Sequence, residues 1–235
     1  MDAIFKKELR SYFKSPLGYV FIAVFMLVTA ISFGRYNLIY QSGDVNLVFS
    51  QIILLLIVII PVLTMRSFAE EKSKRTDQLL YTSPVKVSSI VFGKIFAAVY
   101  VFAITLVVSL IYPLILSMYT EIAWSVVIST YLGVFLMGMA FISVGVFISS
   151  LTENMLISVI ATIGVLFAVY LFDGVSYLVN NRSFQIFANL ISMTARYADF
   201  NSGIINIPNV IYYLSVVAIF AVLTIVNIEK RHWVK

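Results

Sequence analysis

Six unbroken apolar stretches, at about 17–34, 47–65, 90–118, 124–149, 155–172 and 210–228, decide most of what this 235-residue chain can become. An α-helix rises about 1.5 Å per residue, so crossing ~30 Å of hydrocarbon takes roughly 20 residues. Each stretch supplies about that length. In lipid every backbone N–H and C=O must find its partner within the protein, which leaves only helices and closed barrels. Barrel strands alternate apolar and polar residues; these runs are continuous and predict helices. Only 11% of the residues are charged, against about 25% in a soluble domain, and a water-soluble globular enzyme is excluded. The first stretch is too long for a cleaved signal peptide, and no small-x-small site precedes a polar mature chain. The expected fold is all-α and integral to the membrane, with six transmembrane helices.

The charges orient the bundle. Of 16 Lys and Arg, 13 fall before the first span, between the second and third, or in the tail: Lys6, Lys7, Arg10, Lys14, Arg66, Lys72, Lys74, Arg75, Lys86, Lys94, Lys230, Arg231 and Lys235. The other face holds Arg35, Arg182 and Arg196. Basic loops stay on the cytoplasmic side, so both termini are expected there. The net charge of +5 is then a topology signal and not the mark of a nucleic-acid partner. The chain has no cysteine, which removes disulfides, iron–sulfur clusters and thiolate metal sites.

Three segments are neither spans nor plain turns. Residues 1–16 are predicted to form an amphipathic interfacial helix. Met1, Phe5, Leu9, Tyr12 and Phe13 share one arc, with Lys6, Lys7, Arg10 and Lys14 opposite. Its aromatics are expected to dip into the inner leaflet, and Pro16 ends it by disfavouring helical geometry at Ser15. The loop 66–89 is the most polar stretch. Ser67 is placed to cap a short helix carrying Glu70 and Glu71, and a second helical piece through Gln78, Leu79 and Leu80 would end before Pro84. A loop of that length with both charge signs suits docking. On the opposite face, 173–209 mixes Phe184, Ile186, Phe187, Leu190 and Ile191 with polar breaks. It predicts one or two short extracellular re-entrant or interfacial helices.

Several chemistries are missing. No span holds Asp, Glu, Lys or Arg away from its ends, which argues against proton relays and intramembrane proteolysis. The single histidine, His232, allows no HExxH metal site. Gly93-Lys94 fails the phosphate-loop pattern, because Ser88 stands where its first glycine belongs and Ile95 where Ser or Thr belongs. No catalytic residue, metal site or cofactor is assigned to this chain, and any energy must arrive from a partner. Gly145-x-x-x-Ser149 permits close helix approach, while Pro61 and Pro113 are expected to interrupt their helices. Phe21, Phe25, Phe33, Phe167 and Tyr170 are candidates to line an apolar path, or are ordinary lipid-facing filler.

Together these segments carry a resemblance. Arg66-x-Phe68-Ala69-Glu70-Glu71-Lys72, then Thr76-Asp77-Gln78-Leu79-Leu80-x-Thr82-Ser83-Pro84-Val85, then Ile90-Val91-x-Gly93-Lys94, resembles the first cytoplasmic loop of ABC-2-type transporter permeases. Phe5-Lys6-Lys7-Glu8-Leu9-x-x-Tyr12-Phe13-x-Ser15-Pro16 is similar to that family's opening helix. The stretch from Gly203 to Ser215 and the terminal Arg231-x-Trp233 are similar to its gliding-motility and nitrous-oxide-reductase-maturation branch. One position departs: many members have Gly-Thr where this chain has Arg75-Thr76.

The resemblance implies a single domain, 1–235, acting as the permease subunit of an exporter in a bacterial inner or plasma membrane. Two such subunits, identical or different, would form one pathway through the bilayer. An ATP-binding cassette ATPase, carrying ATP and Mg, would dock on 66–85. There Phe68, Leu79 and Leu80 would anchor it, and Lys72, Arg75, Thr76, Asp77 and Gln78 would complete the contact. Glu70 and Glu71 would pair with basic groups on the ATPase or on Lys6, Lys7 or Arg10 of the opening helix. The alternative is a membrane scaffold or assembly protein that moves no substrate.

Overall fold

The computed structural model describes residues 2–40, 46–76, 86–176 and 192–233. Its helices are α1 (Asp2–Lys14), α2 (Pro16–Phe33), α3 (Asn46–Thr64), α4 (Ala69–Ser73), α5 (Val87–Ser109), α6 (Ile111–Leu116), α7 (Trp124–Leu151), α8 (Met155–Ser176), α9 (Met193–Asn201) and α10 (Ile207–Trp233). No strand occurs among the described residues. Six helices are long and apolar enough to cross a membrane, one for each predicted stretch. The first runs further than expected, through a π-helical stretch at Gly34–Ile39.

Proline and hydroxyl chemistry explain the boundaries. Ser15 is extended (φ −91°, ψ 157°) and Pro16 opens α2, where a missing N–H costs nothing. The expected interruption near Pro113 takes the form of a turn at Leu110 between α5 and α6. Pro61 lies inside α3, which nevertheless continues to Thr64. Polar side chains within the spans return their donors to their own helices: Thr29 to the Phe25 carbonyl (2.8 Å), Thr105 to Val101 (2.9 Å) and Thr162 to Ser158 (2.7 Å). These three hydroxyls need no partner in lipid.

α7 is the axis of the bundle and packs against α10, α3, α9, α5 and α8. Seven consecutive residues, from Ala140 to Val146, are buried, so burial runs all round the helix there, as a fully enclosed helix requires. Close approach depends on small residues. A Cβ on Gly138 would fall 2.1 Å from the Phe102 ring of α5, and one on Gly145 would fall 2.2 Å from Thr64 Oγ1 of α3. α2 instead buries one stripe, Phe21, Phe25, Thr29 and Phe33, at i+4 spacing. Its outer side shows Val20, Val24, Leu27 and Ile31, and α8 and α10 show Leu156, Ile160, Ile211 and Ile219. Such faces suit a helix bundle surrounded by lipid tails.

The segment 173–209 contributes the end of α8 and the short helix α9. Ser192 caps α9 by accepting from the Ala195 N–H (3.0 Å). Phe200 is buried against α7 and α10, and Tyr213 of α10 donates to the Met193 carbonyl (2.6 Å). Asn209 ties Arg196 (3.2 Å) to Asp199 (2.7 Å). α9 is thus docked on the bundle. The expectations for Phe184, Ile186, Phe187, Leu190 and Ile191 lie outside the described residues.

Candidate functional site

One end of the bundle gathers α1, α4, the start of α5 and the ends of α3, α7 and α10. The opening helix packs part of its apolar arc on this bundle. Tyr12 is buried and donates to the Leu63 carbonyl of α3 (3.2 Å). Burial, with a smaller contribution from the Glu8 charge, pushes its hydroxyl above the ordinary phenol range, so it is held as a neutral donor. Phe5 stands edge-on to Tyr100 of α5 (5.8 Å), Phe13 edge-on to Tyr19 (5.7 Å), and Leu9 packs partly against the core. Gly93 makes this seat possible, since a Cβ there would lie 2.9 Å from Ile4 Cγ2. Lys6, Lys7, Arg10 and Lys14 remain exposed, as the helical wheel requires.

α4 is only five residues long and owes its stability to its surroundings. Its cap is not Ser67. The N-cap position falls on Phe68, which has no oxygen to offer, and the oxygen comes instead from Ser149 of α7. Ser149 Oγ accepts from the N–H groups of Phe68 and Ala69 (3.1 Å each) and donates to the Met65 carbonyl (3.1 Å). The Ser150 carbonyl, at the C-terminal end of α7, accepts from Lys72 Nζ and from Asn227 Nδ2 of α10 (3.0 Å). Positive charge at a helix C-terminus is the favourable sign. α4 then closes with Thr76 N–H on the Glu71 carbonyl (2.9 Å) and Arg75 N–H on the Lys72 carbonyl (3.0 Å). That crossed pair of bonds needs a left-handed residue, and Arg75 takes it with φ 55°.

Glu8, Glu70 and Glu71 are engaged within the chain. Glu70 accepts from Arg66 (2.9 Å at Nη2, with a second bond from Nε) and from Lys74 (2.7 Å). The Arg66 hydrogen bond holds the Glu70 carboxyl well down, at about 2. Glu71 pairs with Lys7 of α1 (3.2 Å) and, through its other oxygen, with Lys94 of α5 (2.9 Å). Lys94 also reaches Glu8 of α1 (2.9 Å) and lies 4.9 Å from the centre of the Phe68 ring. It is 2% exposed. Between α1 and α4 lies a cleft of about 470 Å³ lined by these charges together with Ser11, Ser15 and Thr76.

The residues expected to couple to an ATPase divide into two groups. Phe68, Glu70, Glu71 and Lys72 are tied into the chain itself, with Phe68 5% exposed. Arg75 and Thr76 are exposed, and Asp77, Gln78, Leu79 and Leu80 lie outside the described residues. The aromatics proposed for a pathway are not brought together. Phe21, Phe25 and Phe33 fill the inside of the bundle, whereas Phe167 is exposed beside Tyr170 on α8. Sequence reasoning missed Ser149, Ser150 and Asn227 as the seat of α4, and Lys94 as its ionic anchor. The one available signal was a lysine one turn into an apolar run.

An all-α, six-span architecture with a polar platform at one end defines a polytopic membrane protein. A match to the ABC-2 family transporter proteins covers residues 8–227, and the chain belongs to that family. None of the curated proteins matches it. The family consists of transporter permeases and not of catalysts. Its members generally work in membrane complexes with separate ATPase subunits that bind ATP and Mg.

Proposed function

We propose that this chain is the membrane subunit of an ATP-driven exporter and that its ATPase docks at 66–85. The observation that carries the reading is the platform itself. α4 is held to α7, α1 and α5 by buried bonds, so a load applied to it is transmitted to the bundle and not lost in a loose loop. The face left for a partner is basic: Lys74, Arg75 and Lys86 are exposed, joined by Lys6, Arg10 and Lys14 of α1. The carboxylates Glu8, Glu70 and Glu71 are already engaged. An ATPase surface rich in carboxylates fits this face, with Leu79 and Leu80 as its apolar anchors.

Both termini are then cytoplasmic, and two copies of the chain, or this chain and a relative, enclose one pathway in a bacterial plasma membrane. The closing residues favour the gliding-motility and nitrous-oxide-reductase-maturation branch. Closure of the ATPases on ATP pushes the platform and reorganises the paired bundles. The test is the double variant Arg75→Glu with Leu79→Arg. Co-purification of the ATPase should fall by about tenfold or more, as expected when a central apolar anchor and a charge contact are both reversed. Undiminished co-purification, or a wild-type chain that engages no ATPase, favours a scaffold.

A further inference from the structure

Lys94 raises a question that docking alone does not answer. Its ammonium could have reached water by snorkelling along the end of α5. Instead it is almost fully buried, next to Ile90, Val91 and Ile95, which are also buried. A buried charge is tolerable only when it is paired. Both of its carboxylates come from other elements, Glu8 from α1 and Glu71 from α4, each at 2.9 Å. Lys7 extends the chain of charges by returning from α1 to Glu71. Withdrawing either element would leave the ammonium under-compensated, so α1 and α4 are held to α5 as a pair. α1 in turn leads into the first span through one extended residue, Ser15, and Pro16. α2 itself packs one main stripe inward, and Val20, Val24, Leu27 and Ile31 face away from the bundle.

We propose that Lys94 is a positioning residue that locks α1 to α4, so that displacement of α4 by the docked ATPase is carried along α1 and through the Ser15–Pro16 break into α2. The relay rests on the reading that the ATPase docks at 66–85; the lock does not. Since the chain lacks cysteine, paired spin labels report on both. In the full chain in lipid nanodiscs, labels at Arg10→Cys and Ser73→Cys measure the separation of α1 and α4. Its distribution should be narrow, and should broaden with Lys94→Met and with the milder Glu8→Gln. A control pair, Ser73→Cys with Glu153→Cys, should stay narrow in both variants. Unchanged α1–α4 distributions in both variants overturn the lock.

In the complex with the ATPase, labels at Val24→Cys and Ile160→Cys follow α2 against α8. ATP should shift this distance in the otherwise unaltered chain. In Lys94→Met and Glu8→Gln the shifted fraction should fall by at least about fivefold while ATPase binding is retained, the signature of lost coupling and not of lost docking. A full shift in both variants overturns the relay. Failure of the otherwise unaltered chain to bind an ATPase overturns the docking reading and the relay with it, and the label widths in the chain alone still decide the lock.

Discussion

Arg75 occupies a conformation that a side chain makes costly. At φ 55° its Cβ crowds the backbone, a strain of roughly 1 kcal/mol that glycine avoids. The crossed hydrogen bonds at the end of α4 show why glycine is favoured at such a position. Arg75→Gly should therefore raise the thermal midpoint by about 2–4 °C for a chain of this size, read in a detergent or nanodisc melt. Ser149 shows the opposite sensitivity. Its hydroxyl satisfies two backbone N–H groups and bonds a third backbone atom. Ser149→Ala should cost about 1–2 kcal/mol and speed hydrogen exchange at Phe68 and Ala69 before the rest of the bundle responds. The Ser149 effect is not visible in sequence, because position 149 reads only as one more small residue on a packed helix.

Single elements here borrow stability in different ways. α4 is too short to persist alone, yet its acidic first turn, basic last turn and imported cap all agree in sign. Glu70, beyond the end of the second span, adds a pH dependence. Its folded value is depressed to about 2 by Arg66, from about 4.3 in the unfolded chain. The stabilisation it provides is complete above the unfolded value and is lost as pH falls through the folded one. Protection of α4 from exchange should therefore hold to about pH 4 and decline towards pH 2, and Glu70→Gln should weaken that dependence. α7 is governed by packing. Gly138→Leu would drive a side chain into the Phe102 ring and should destabilise by about 1–3 kcal/mol or more, with part of the loss recovered by Phe102→Ala. The amphipathic pattern of α1 was legible, but not its destination. Periodicity marks an apolar arc without saying whether lipid or protein covers it, and the seat depends on Gly93, nearly eighty residues beyond the helix.

At the scale of the whole molecule, the exposed cations around α1 and α4 predict a salt-sensitive partnership. Raising ionic strength from about 0.05 to 0.5 M should weaken ATPase association by roughly tenfold, measured by titration of the ATPase onto nanodiscs holding the chain. Contacts made by buried anchors alone would change little. The six spans, the breaks at Pro16 and near Pro113, and the concentration of charge outside the spans follow from the sequence itself. Hydrocarbon length, backbone satisfaction and the cost of moving charge through lipid act on each segment separately and leave few alternatives. The placement of α7 at the axis, the docking of α9, and the junction of Glu8, Glu71 and Lys94 were settled only when the helices packed. These depend on which faces meet, and residues such as Ser149 and Lys94 acquire their partners from segments 23 to 86 positions away. Local pattern determines what can enter the membrane; close packing determines which buried polar groups are left to satisfy one another.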